Sequence, residues 1–201
     1  MTKCPNTSTV SIRFLVILVL ASCLSACAHS IVISPLETPK RDGQNLCPKN
    51  VAYVMTDVDR NKQVTTEGGG GDKVIYFPFR DLEKAIRDSL KAIYSDVSVI
   101  RSPNDAEFVK ENNISFIFAP EIYTSSNSNS AFTWPPTQFN IELACTVTDP
   151  GGNIISRIRV LGTGTAEYSE FKSDFGLAGR RAATEVSARL REEIWSNPRL
   201  R

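Results

Sequence analysis

The 201 residues carry 23 Lys and Arg against 22 Asp and Glu, a net charge of +1, with 41% hydrophobic residues. That length suits one domain with room for a real core. The near-neutral balance gives no case for nucleic-acid binding, which favours a basic face, and the chain has one histidine with which to build histidine-dependent catalysis.

The first predicted element is an export signal. Lys3 and Arg13 precede an apolar run over residues 14–28. The run is shorter than the ~20 residues of an ordinary membrane span. It has the length and flanks of a signal-peptide core. It ends in Leu24-Ser25-Ala26-Cys27, which is how a bacterial lipoprotein signal reads. The small Ser25 and Ala26 fit a peptidase subsite, and the Cys27 thiol can take a diacylglycerol thioether. On this reading residues 1–26 are removed and the mature protein begins at Cys27. A second box, Leu20-Ala21-Ser22-Cys23, makes Cys23 the alternative lipidation site. Cys27 gives the longer apolar core. The residue after Cys27 is Ala28, not Asp. By resemblance to enterobacterial lipoproteins, that implies the outer membrane, with the domain held at its periplasmic face. Loss of Lys3 and Arg13 brings the mature charge to about −1. Without a basic patch beside it, the anchor must rest on its acyl chains (palmitate-like), and three exceed the two-signal threshold for stable attachment.

Residues 27–46 read as the lipidated cysteine and a flexible tether. Pro35, Pro39, Gly43 and mixed charges break any periodicity there. The globular domain is expected over residues 47–201. Residues 51–55 are β-rich and form a first strand. Residues 57–72 read as a loop ending in Gly68-Gly69-Gly70-Gly71, with a short strand at 74–79. Over residues 80–94, Leu82, Ala85, Ile86, Ser89, Leu90 and Ile93 recur at helical spacing. A strand at 97–100 follows. A short helix opens with Ser102 as cap and Pro103 in the first turn. Residues 114–122 are a strand apolar on both faces, hence central. Ile114, Phe116 and Phe118 are expected on one face, with Ile117 and Ala119 on the other.

Residues 139–148 alternate, Asp149-Pro150-Gly151-Gly152-Asn153 turns, and residues 154–168 are strand-like again. Together they predict a β-hairpin. Gly162 and Gly164 mark either a bulge or a close backbone approach. The last element is a helix over residues 174–195 with the stripe Phe175, Ala178, Ala182, Val186, Leu190 and Ile194. Two amphipathic helices each need an apolar surface to cover. The predicted fold is therefore α+β: a single domain with a mixed β-sheet and both long helices on one face.

This order of lipobox, Pro-containing stretch, strand 51–55, Gly-rich loop, Phe77-Pro78-Phe79 with its helix, hairpin and Ala-rich last helix resembles the small proteobacterial lipoproteins of the YajG kind. More distantly it resembles envelope-assembly lipoproteins such as LptE. The resemblance implies an anchored accessory domain without catalysis and supplies no catalytic residue.

The residues themselves point the same way. His29 lies in the tether region, so Ser/His/Asp and Cys/His constellations have no positioned base. With Cys27 acylated, the Cys and His supply is too small for a typical zinc site. Asp57 to Asn61 begin like a calcium loop. Lys62 stands where that motif needs Gly, and Gly68 where it needs Glu. Gly68–Gly71 lacks the Gly-Lys-Ser/Thr ending of a phosphate loop and reads as a flexible turn or an adaptable edge. Glu121, Glu142 and Glu167 show no spacing that pairs them. No catalytic residue, metal or cofactor is expected. Cys47 and Cys145 can form one disulfide in an oxidising compartment or lie apart as two buried thiols. Phe132, Trp134 and Pro135, in a polar loop, form either a partner contact or a cover folded over the sheet edge. The expected function is a lipid-anchored, non-enzymatic accessory protein that meets a protein partner in the cell envelope. The alternative is a module binding a small ligand, glycan or lipid, with a carboxylate hydrolase third.

Overall fold

Eight strands and four helices make up residues 28–201 of the computed structural model, with residues 42, 44, 103 and 172 outside the described set. The lipidation candidates Cys27 and Cys23 lie outside the described residues too. The strands are β1 (Ala28–Ser30), β2 (Cys47–Val54), β3 (Val64–Glu67), β4 (Lys73–Tyr76), β5 (Tyr94–Ile100), β6 (Ile114–Asn127), β7 (Gln138–Thr148) and β8 (Ile154–Thr165). The helices are α1 (Asp57–Arg60), α2 (Pro78–Lys91), α3 (Ala106–Glu111) and α4 (Leu177–Ser196).

The fold is α+β. A five-stranded mixed sheet runs β5-β2-β6-β7-β8, with β2 parallel to β5 and β6, and β6, β7 and β8 antiparallel. A three-stranded sheet, β1-β4-β3, stands at one end. Its Val74 and Tyr76 enter the same core as Phe139, Ile141 and Leu143 of β7. Both long helices cover one face. α2 buries Leu82, Ala85, Ile86 and Leu90, and α4 buries Ala178, Ala182, Val186, Leu190 and Ile194. Where they cross, Ser89 Oγ donates to the Ser187 carbonyl at 3.0 Å. The polar pair thus stays satisfied inside an apolar contact.

β6 is central, as its two apolar faces require. Its first residue differs from expectation. Asn50 pairs with Ile114 but Val51 pairs with Phe116, so the register shifts at Ser115. The extra residue turns Ile114 to the opposite face. There it packs with Ile117, Ala52 and Ile100 beneath Val109 of α3. The hairpin β7–β8 forms as predicted, closed by Asp149 Oδ1 accepting from Asn153 N at 2.9 Å, with Gly152 at φ 83°. Gly162 and Gly164 mark close approach: α4 lies directly on them, and a Cβ at either position would collide with an α4 carbonyl.

Several boundaries move. Helix α3 begins three residues after the expected start, because Asp105, not Ser102, accepts from the N3 amide (Phe108 N, 3.2 Å). The expected loop at 57–72 holds α1 and β3. Thr56 and Asp59 form a reciprocal capping box that starts α1. Phe175 precedes α4 and is not part of its buried stripe.

The largest correction concerns the tether. β1 pairs in parallel with β4, and Ile31 and Ile33 are buried. Ile33 N donates to Asp81 Oδ2 at 3.1 Å, Leu36 N to Thr184 Oγ1 at 2.9 Å, and Arg180 Nε to the Ser34 carbonyl at 3.1 Å. Residues 28–38 are a strap bound across α2 and α4. Ile31 and Ile33 seat one face of the strap in the core and Val32 between them points outward, while Pro35 and Pro39 only stiffen the path.

Candidate functional site: an aromatic cleft

The segment joining β6 to β7 carries Phe132, Thr133, Trp134 and Pro135. Its course is fixed from below by the glycine run. Gly69 N donates to the Trp134 carbonyl at 2.8 Å and Gly70 N to the Ser130 carbonyl at 3.0 Å. A side chain on Gly68 or Gly69 would strike the carbonyls of Trp134 or Thr133. The glycines therefore serve a close backbone contact between two loops, more specific than the turn or adaptable edge expected.

Trp134 is held on two sides. The His29 ring stacks on it with centroids 4.0 Å apart and planes 14° from parallel. Phe175 tilts against it at 4.7 Å. His29 Nε2 in turn meets Asp72 Oδ2 at 3.2 Å. A third wall comes from the 3₁₀ turn Tyr168–Glu170 after β8. Glu170 fixes this turn: it accepts from Glu167 N at 2.8 Å and pairs with Arg181 of α4. That arginine contact holds the Glu170 carboxyl down at about 2. Phe132, Thr133, Trp134, Pro135, Tyr168, Phe171 and Phe175 enclose an open cleft of about 240 Å³.

Exposure within the cleft is uneven. Pro135 and Phe171 are buried and form its floor. Phe132 is 98% exposed, Tyr168 72% and Phe175 46%. Phe132 and Tyr168 in particular leave most of their apolar surface outside the core. Contiguous exposed apolar area of this kind marks contact sites. Within the loop, Trp134 packs back over the sheet edge and Phe132 stands exposed.

The other candidate residues disperse. Cys47 and Cys145 are free thiols, both buried in the core, so the structure takes the two-thiol alternative. Burial pushes the Cys145 thiol up to about 12. Glu142 pairs with Arg159 at 2.6 Å, Glu121 accepts from Tyr123 Oη at 3.0 Å, and Glu167 caps the 3₁₀ turn. Tyr123 stands opposite Glu142 across β6 and β7, so Glu121 and Glu142 share one sheet face, each with its own partner, while Glu167 lies apart at the turn after β8. In the calcium-like stretch, Asp59 caps α1 and Asp57 pairs with Arg60. Sequence reasoning missed His29, Tyr168 and Phe171, and it placed Phe175 on the last helix. Only the aromatic character of residues 168, 171 and 175, at three- and four-residue spacing before a helix, signalled them.

No family model and no curated protein matches the chain. Among solved structures, it is similar to a Xanthomonas campestris protein of the DUF330 family (9% identity, TM-score 0.46), covering 82% of this chain and 92% of that one. It is also similar to PelC from Paraburkholderia phytofirmans, solved as a dodecamer (13% identity, TM-score 0.42, covering 77% and 97%). A candidate lipoprotein from Caulobacter crescentus shows 11% identity and a TM-score of 0.34, covering 63% and 82%.

Proposed function

We propose that this chain is a lipid-anchored, non-enzymatic binding protein of the bacterial envelope, attached through Cys27 at the periplasmic face of the outer membrane. It supports an envelope assembly or transport complex, and the aromatic cleft is the surface by which it meets an envelope component. One observation carries the reading: Phe132, Tyr168 and Phe175 stand exposed around a cleft whose wall includes Trp134, stacked on His29. His29 is two residues from the cysteine of the lipobox. On this reading the attachment point is two residues along the chain from a ring that packs on the cleft wall.

The chemistry suits contact by burial. Aromatic rings give large contact area at small cost in side-chain freedom, and they dominate interface energetics. A photo-crosslinking residue in place of Phe132, in cells making the full chain, is expected to capture an envelope component. The same residue in place of Asn153, at the opposite end of β7, is expected to capture none. Cys27→Ala is expected to weaken the capture by removing the anchor. Equal labelling from both positions, or none from residue 132, would remove the cleft as the contact surface.

A further inference from the structure

We infer that the occupant of the aromatic cleft is the bilayer surface itself: Phe132, Tyr168 and Phe175 lie in the headgroup region of the membrane that carries the anchor. The inference rests on the lipid-anchored reading above and names what the cleft meets.

The strap sets the distance. Ala28 directly follows Cys27 and already belongs to β1, and His29 is already stacked on Trp134. Two residues of fully extended chain reach at most ~7 Å. A domain tied by a slack tether could hang anywhere below the membrane. A domain whose paired backbone begins one residue after the acylated cysteine cannot lift its cleft away from the lipid.

The side chains fit that depth. Aromatic rings, Trp and Tyr above all, favour the boundary between headgroups and acyl chains. Near the cleft, Glu170 pairs with Arg181, Asp174 pairs with Arg180, and Asp72 meets the His29 ring. The rings that line the cleft make the contact apolar, and its strength should not follow ionic strength as a polybasic contact does.

The chain carries its own ruler. Trp134 lies in the cleft, and Trp195 lies near the far end of α4, which starts beside the cleft at Leu177. At the helical rise of 1.5 Å per residue the separation along the helix is about 27 Å. The test uses the full chain purified from membranes in its processed form. It is placed in vesicles of phosphatidylethanolamine and phosphatidylglycerol with brominated acyl chains. Trp195→Phe leaves Trp134 as reporter, and Trp134→Phe leaves Trp195.

Trp134 is expected to be quenched and Trp195 not, with the same result at high salt. Phe132→Ser with Tyr168→Ser is expected to lose most of the quenching while the protein stays on the vesicles through its lipid. Both rings are exposed, so the fold does not depend on them. A lipidated, vesicle-bound protein with Trp134 unquenched would overturn the bilayer contact and leave the anchor standing. Quenching that survives the double substitution would overturn it as well. So would a Trp134 signal that changes only when envelope proteins are added, which would assign the cleft to a protein partner. Mass spectrometry showing unmodified cysteines, with no vesicle binding, would overturn the anchor and this inference together.

Discussion

A Cβ on Gly164 would fall inside the Ala178 carbonyl oxygen, and one on Gly162 inside that of Ala182. Strand β8 therefore has no side chain at the two points where the α4 backbone lies against it, and α4 answers with alanines. Small residues on both partners bring helix and sheet backbones together, at the interior density that proteins require. Added volume has nowhere to go, because the colliding atoms belong to main chain. Gly164→Ala is expected to cost about 1–3 kcal/mol, as overpacking does. Gly71→Ala tests a different cause. Gly71 has φ 88° and open space around its Cα, so its cost is strain alone, about 1 kcal/mol. In urea denaturation Gly164→Ala should lower the midpoint with the slope unchanged. A Gly164→Ala protein as stable as the wild type would show that α4 does not bear on β8 this closely.

One buried carboxylate takes part in holding the strap over residues 28–38. Asp81, in the first turn of α2, accepts from Ile33 N. Burial raises its carboxyl above the ordinary range; the Ile33 amide and the nearby Arg80 pull the other way without cancelling it. A carboxyl with a raised folded pKa holds its proton more tightly folded than unfolded. The stability it contributes is full below the unfolded-state value of about 3.9, and is lost as pH rises through the folded value. Asp81→Asn keeps an oxygen for the Ile33 amide and carries no charge. Its unfolding free energy, relative to wild type, should rise with pH across that window and then level. Parallel pH profiles of the two proteins in urea would sink this account. Asp81→Leu instead leaves the Ile33 amide buried without its partner, at about 1–3 kcal/mol. The same element shows where sequence was readable. Helices α2 and α4 and the hairpin β7–β8 were legible because long periodic runs declare their buried face. The strap was not: two isoleucines two apart, flanked by prolines, carry too little periodicity to outweigh a tether-like composition. The cleft was half legible. Phe132, Trp134 and Pro135 sit together in the chain, but Tyr168, Phe171 and Phe175 reach them only through the end of β8 and the turn before α4. His29 joins them only because β1 pairs with β4. Such partners are set by topology, and no local pattern records them.

At the scale of the molecule, the two sheets share one core. Ile31 and Ile33 of the strap and Val74 and Tyr76 of the small sheet belong to the same buried cluster as Phe139, Leu143 and Leu190. Polar contacts bind the sheets further: Tyr76 Oη donates to Thr124 Oγ1 at 2.7 Å, and Ser126 Oγ to the Glu67 carbonyl at 2.6 Å. At the far end, Leu200 is buried and its carbonyl accepts from Tyr94 Oη at 2.9 Å, so the last residues plug the core they follow. A cluster that runs unbroken from cleft to C-terminus should unfold as one unit, since exposing either end opens the same apolar interior. The two tryptophans report on the two ends. With Trp195→Phe the emission follows the cleft, and with Trp134→Phe it follows the end of α4. Each variant's fluorescence midpoint should coincide with its own midpoint by circular dichroism, in urea and on heating. The small sheet could be an appendage only if its contacts with β6 were separable from the main core. In that case Trp134 would be released first, at a denaturant concentration where helix content is intact. Coincident transitions would mean that the cleft is as rigid as the core beneath it, and that whatever touches Phe132 touches a surface already formed.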